Sequence, residues 1–327
     1  PKPFAKAKDE PLDFDLTQQI GAFSDLWKVR VGNEQSPLGQ VRAVYGSKAQ
    51  PGVLQSLNFS VGTDLGTETN GILGRMNLEA LDVDAWKAAA DDLMGRLPQG
   101  QRISTGLMAD LFNAEESDLA RTRLDLKAKQ LVVAKKTFSG VSLTARTIEN
   151  RWQVDLKGQG MDGYFSWVTD AQRPDGALLA RFKTLMIPKT VGTEIKEIVD
   201  EPVNSIPALD VRVDRFVLGE NELGRLRVVA VNQTRDERLQ AKLADQPNLW
   251  KLEELRVENP ESVTVAKGTW QYGKGLKNQK TSIKLQQEVS DGGALLSRFG
   301  MAGVFKGGNG SLVGELTWND APTNVDY

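Results

Sequence analysis

The residue types that carry most protein chemistry at neutral pH are missing from this chain. Its 327 residues include no histidine and no cysteine, which excludes imidazole acid-base work, thiolate nucleophiles, disulfides and the usual zinc ligand sets. Carboxylates remain. Asp91 with Asp92 and Glu115 with Glu116 are adjacent in sequence, whereas a glycosidase needs two carboxyl groups on facing elements. Such pairs read as a solvated face. No Asp-x-Asp-x-Asp-Gly loop offers oxygen ligands to calcium. Gly307 to Gly310 and Gly273 to Gly275 lack the spacing and strand-to-helix setting of a phosphate loop, and both read as hairpin turns. Catalytic residues, metal ligands and cofactors are accordingly expected to be absent. The seven tryptophans, among them Trp167, Trp270 and Trp318 near strand ends, could stack on sugars, but rim anchoring or core packing is their commoner use.

Charge narrows the partners further. Lysine plus arginine (41) nearly cancels aspartate plus glutamate (43) with no long block of one sign, so nucleic acid is not an expected partner. No run of about 18 apolar residues is present. The start at Pro1 without an n-region or h-region, and the end at Tyr327, fit an internal piece of a longer protein whose anchor lies elsewhere. The lack of cysteine suits an oxidising compartment such as the periplasm, though only weakly.

The elements that must carry whatever function exists are strands. Period-2 alternation runs through Leu12 to Leu16, Trp27 to Val31, Leu57 to Val61, Trp152 to Leu156 and Ile283 to Leu285. Turn residues separate these runs at Gly32 and Asn33, Asn70 and Gly71, and Asn259 and Pro260. Two stretches have helical spacing instead. One runs from about Asp84 to Met94, with Asp82 or Asp84 as N-cap and Gly95 as the stop. The other is Gly292 to Phe299, with Leu295, Leu296 and Phe299 apolar. The predicted fold is all-β, an antiparallel sheet with one greasy face and one wet face, and two short helices.

The chain also repeats itself. Leu124 to Val133 lies over Leu209 to Leu218 without gaps, an offset of 85 residues. Both copies break phase at the same point. Leu124, Leu126 and Ala128 are followed by Leu131 and Val133, as Leu209, Val211 and Val213 are followed by Phe216 and Leu218; Leu178, Ala180, Phe182, Leu185 and Ile187 do so again. A one-residue slip turns the apolar set to the other face unless a bulge absorbs it. Bulges or bends are therefore predicted at Lys129-Gln130, Lys183-Thr184 and Asp214-Arg215. Alternation assigns the greasy face to Leu124, Leu126, Leu131, Val133, Phe182, Leu185, Val211, Val213, Phe216, Leu218, Leu226, Val228, Leu252, Val263, Val265, Ile283 and Leu285. Periodicity alone leaves open whether that face closes into a sandwich or barrel core or stays an open trough.

Several longer motifs carry a resemblance. They are Ile206 to Gly219, Leu223 to Leu226, Trp250 to Leu252, Ala266 to Trp270, Asp291 to Leu296 and Gly310 to Pro322, in that order. Leu81 to Trp86, Trp152 to Gly158 and Gly163 to Trp167 precede them. Together they resemble the YhdP-type branch of the AsmA-like family. The resemblance implies a Gram-negative inner-membrane-anchored protein whose periplasmic part is a long, twisted and curved β-sheet forming an open hydrophobic groove, with no catalytic residues. It implies phospholipid as ligand, moving between inner and outer membrane. Residues 1–327 would be one continuous β-groove segment, 1–200 holding upstream repeats and 206–327 the last. A non-catalytic envelope scaffold and a carbohydrate-binding β-protein are the alternatives.

Overall fold

The computed structural model describes residues 13–32, 37–46, 54–66, 71–85, 88, 121–133, 136–148, 151–168, 176–188, 207–232, 248–272 and 279–322. The chain forms two compact units, Pro1–Gln159 and Gly160–Tyr327.

The first unit carries β1 (Phe14–Ile20), β2 (Ser24–Gly32), β3 (Pro37–Gly46), β4 (Leu54–Val61), β5 (Gly71–Asp82), β6 (Thr122–Val133), β7 (Lys136–Ile148) and β8 (Arg151–Gly158). They are hydrogen-bonded in chain order, and the sheet does not close on itself. Gly32, at a φ of 93°, turns β2 toward β3, a conformation a Cβ would resist. The second unit carries β9 (Met161–Val168), β10 (Ala177–Ile187), β11 (Ala208–Leu218), β12 (Asn221–Asn232), β13 (Asn248–Asn259), β14 (Ser262–Tyr272), β15 (Lys280–Val289), α1 (Gly292–Arg298) and β16 (Gly310–Trp318). Its strands too follow chain order in an open sheet.

The all-β prediction holds, with one difference. β4 with β5, β5 with β6, and β10 with β11 run parallel. A parallel neighbour needs a connection long enough to carry the chain back to the same end. The stretches after Asp82 and Ile187 supply that length for β5–β6 and β10–β11, and residues 62–70 join β4 to β5, none of which alternation inside the strands reveals.

The phase breaks lie where the spacing puts them, and they are resolved in two ways. On β10 one extra residue at Lys183 is absorbed by a register shift against β9 between Phe182 and Thr184, which keeps Phe182 over Gly163 and Leu185 over Met161. Asp214 and Arg215 of β11 form a shift against β12, so Val213 faces Leu226 and Phe216 faces Gly224. At Lys129 there is no shift. Ala128 pairs Val141 and Gln130 pairs Ser139, and on the other side Leu78 pairs Ala128 and Ala80 pairs Gln130. Lys129, Gly140 and Glu79 are skipped together. The neighbours make the same slip, so the band crosses three strands without losing register. Gly140 takes a φ of 61° within it, and Lys129 Nζ meets Glu79 at 2.8 Å.

The second helix forms as expected. Asp291 accepts from the Ala294 N–H at 2.9 Å as N-cap. Arg298 then clamps Glu261 with two bonds of 2.8 and 2.9 Å, and donates to the Glu222 carbonyl at 3.0 Å. Gly307 to Gly310 is not a hairpin turn. Its carbonyls at Gly308 and Gly307 accept from Gly292 and Gly293, so it straps the first turn of α1. The first predicted helix begins at 83–85, where Ala85 N–H donates to Asp82, and Ala88 is helical too; the rest of it, like Asp91, Asp92, Glu115, Glu116 and Gly273 to Gly275, lies outside the described residues.

The best-buried core of the second unit sits at one rim of the sheet. Ala230, Trp250, Leu252, Trp270, Tyr272 and Ala321 pack together. Trp270 is 0% exposed and stacks on Tyr272 at 4.2 Å. Trp250 Nε1 donates to Pro207 O, Trp318 Nε1 to Ala321 O and Asn232 Nδ2 to the Tyr272 hydroxyl. Replacing Trp270 with Ala should cost about 3–5 kcal/mol, lowering the denaturant midpoint of the second unit; an unchanged midpoint would show that the cluster does not hold this rim.

Candidate functional site

Directly opposed residues on neighbouring strands share a face, so the ladders assign every predicted position. In the second unit Leu209, Ala230, Leu252, Gly268, Ile283 and Leu316 form one row. Val211, Val228, Leu255, Ala266, Leu285 and Gly314 form the next, and Val213, Leu226, Val257, Thr264, Gln287 and Leu312 a third. Phe182 joins Val213 from β10. In the first unit an apolar row crosses all eight strands: Leu16, Val29, Val41, Phe59, Gly74, Leu124, Ala145 and Val154. Its neighbour holds Leu126 between Met76 and Leu143. Gly74 is required here, because a Cβ would lie 2.4 Å from the Phe59 ring and 2.7 Å from Leu124.

Two predicted lining residues fall on the other face. Val263 opposes Glu258 and Glu288, and Val265 opposes Arg256 and Gln286. On β14 the apolar-face positions are Thr264, Ala266, Gly268 and Trp270, small residues except at the rim. Val263 and Val265 sit among charged and polar neighbours, where β-branching still suits a strand. The other predicted residues of the second-unit rows share one face of the sheet. Beyond the phase band, Leu131 is buried against the Phe138 position, whereas Val133 and Leu218 are exposed.

Cover is the informative property of this face. Substantial packing of each strand is with its ladder neighbours, and α1 lies against β12; among the described residues no second layer of strands covers either sheet. Leu124, Phe182, Leu185, Val211, Phe216, Leu226, Val228, Ile283 and Leu285 are only half-buried, while Leu126, Leu131, Val213 and Leu252 are buried. Strand β4 inverts the usual order. Ser56, Asn58 and Ser60 on its polar face are 0–1% exposed, while Leu57 and Phe59 are half-buried and Val61 is 39% exposed.

The opposite face is a lattice of charge. Arg181, Arg212, Arg227 and Arg256 lie in one row across β10 to β13. Like charges directly opposed are destabilising, and acids in adjoining rows offset them. Arg181 meets Asp210 at 2.7 Å, Arg227 meets Glu254 at 3.1 Å and Arg256 meets Glu258 at 3.1 Å. The hydrogen bond from Arg181 holds the Asp210 carboxyl below its ordinary range, against the opposing effect of burial. A depressed carboxylate contributes stability above its unfolded value and loses it as pH falls through the folded one. Asp210→Asn should therefore be less stable than the parent at pH 7, with the gap closing below about pH 4; a gap that persists in acid would refute this pairing. Arg225 and Arg256 likewise lower Glu258.

None of these groups converges on a cleft suited to covalent chemistry, and among the described residues no group of carboxylates is placed to hold a metal. No helix of the described residues is long and apolar enough to cross a membrane. Trp270 and Trp250 are sealed in the rim cluster rather than presented as a sugar platform.

Among curated proteins and among solved structures, none matches this chain. The YhdP protein family matches it over residues 1–327. That match covers the whole sequence and agrees with an open, strand-built architecture that has one apolar face, so the chain belongs to the YhdP family, which is associated in general terms with lipid transport at the bacterial envelope.

Proposed function

We propose that this chain is a periplasmic length of a conduit that carries phospholipid between the inner and outer membrane, with acyl chains lying along the apolar face. The observation that supports the reading is the greasy face itself: among the described residues, row after row of Leu, Val, Ile and Phe is left half-buried with no opposing layer. Burial of such a surface is worth roughly 25 cal/mol per Å², so acyl chains gain by occupying it. Head groups stay hydrated at the mouth. The rows change little from strand to strand, which offers no deep minimum at which a moving lipid would stall. Nothing in this mechanism calls for a catalytic group or a cofactor.

Leu285 is the best reporter. Its ladder neighbours are Ala266 and Gly314, which leave room around it, whereas Val213 is 2% exposed and Val228 packs against the aromatic rim cluster. A photoactivatable residue at Leu226 or Leu285 in the full-length protein in cells should crosslink phospholipid, and one at Arg227 or Lys284 on the opposite face should not. Equal labelling of both faces, or none at the inward positions, would reject the conduit.

A charge at the same place separates a conduit from a closed core. Leu285→Asp should obstruct lipid transport while leaving the melting temperature within a few degrees of the parent, because a wall open to solvent or mobile chains can hydrate the carboxylate. In a dry core the same change would cost several kcal/mol and unfold the region.

A further inference from the structure

The polar face of the first unit holds an arrangement that lipid passage along the apolar face does not use. Lys28 of β2 and Arg42 of β3 are directly opposed in the antiparallel ladder. That places two cations side by side, about 5 Å apart at Cβ. In the arginine row of β10 to β13, by contrast, acids stand beside the cations. Here, among the described residues, neither Lys28 nor Arg42 forms an ion pair, and Arg30, one row away, is the cation that holds Asp15, at 3.1 Å.

These side chains line a cavity of about 300 Å³ together with Thr17, Gln40 and Leu65. The segment 62–66 contributes Leu65 to its wall. Asp64 is tied to Arg75 at 2.7 Å, and Gly66 sits tightly over Leu73 and Arg75. The floor continues onto β4, where Arg42 pairs Asn58 and Gln40 pairs Ser60. Ser60 is 1% exposed and its hydroxyl has no partner among the described residues. With Arg30 engaged, Lys28 and Arg42 are the two lining cations that form no ion pair among the described residues, and the buried Ser60 hydroxyl lies next to them on β4.

The geometry points to an anion site for a phosphate-class dianion, formed by Lys28 and Arg42 in the cavity walled by Leu65. Arg42 offers a guanidinium fork to two oxygens and Lys28 a point charge to a third. Arg30 stays engaged with Asp15, and a cavity of about 300 Å³ suits a small head. Both a free phosphate and the phosphomonoester head of a lipid have this chemistry. The site does not rest on the conduit reading, since it lies on the other face of the sheet.

The test is binding to the whole chain by calorimetry and thermal shift, with inorganic phosphate and soluble dihexanoyl phosphatidate as probes. Saturable binding near one per chain with a Kd below about 1 mM is expected, weakened by salt. Lys28→Gln and Arg42→Gln should each weaken it about tenfold or more and abolish the ligand-induced rise in Tm. The unliganded Tm should hold or rise, because a like-charge pair has been removed. If both probes bind, the site takes the bare anion; if only phosphatidate binds, and does so with the same dependence on Lys28 and Arg42, the source is a lipid head. Absence of binding by either probe at about 10 mM, or binding indifferent to both substitutions, overturns the site. Lys28 is exposed, so its variant tests the proposal even if Arg42→Gln fails to fold. Loss of lipid crosslinking at Leu285 with anion binding retained would sink the conduit alone.

Discussion

Each strand of this protein is held mainly by the two strands beside it, and that constraint governs everything else. A sandwich or barrel recovers the cost of ordering its chain by burying one sheet face against another. Among the described residues that face is left largely uncovered, so their stability must come from the ladder, from side chains touching within a row, and from a few places where the sheet is sealed. The aromatic cluster at Trp270 and the Arg298–Glu261 clamp under α1 are such places in the second unit. The crossed charges of the polar face are a third. Individually, exposed pairs contribute little, but a row of four arginines can be tolerated only because Asp210, Glu254 and Glu258 are set beside it.

Much of this was legible in the sequence because the side-chain period of a strand is a hard geometric fact. Alternation found the strands, the turns at Gly32 and Asn259, and the greasy face at Leu209 to Val213, Leu226 and Leu285. The coincident slips found the bulges on β10 and β11. What alternation could not give is direction: nothing within β5, β6 or β11 says that its neighbour runs parallel, since that is decided by connections whose length, not pattern, matters. Nor could it assign β14. There both phases hold small or β-branched residues, and Val263 with Val265 outweighed Thr264, Ala266 and Gly268 by hydrophobicity alone. Register against Glu258 and Gln286 decides the matter, and register belongs to pairs of strands.

The polar face was the least legible part. Lys28 and Arg42 are unremarkable charges in two alternating strands until the ladder sets them opposite one another, and Ser56, Asn58 and Ser60 resemble any wet face until the segment after Val61 folds back. A signal did exist. Three short polar residues in alternate positions, without a single Lys, Glu or Arg among them, are what a covered polar face accommodates, because long charged chains are rarely buried unpaired.

The band at Glu79, Lys129 and Gly140 has a consequence for how such a chain can change over time. Because all three strands pass through the slip at one level, removal of Lys129 by itself would put Leu131 and everything after it out of phase with both neighbours. Only the loss of all three residues together would return a regular ladder, and three independent deletions in separate segments are a remote event. Strand lengths on this side of the molecule are thereby interlocked. Length variation among relatives is free to accumulate only in the connections, such as those after Asp82 and Ile187, where no partner has to keep count.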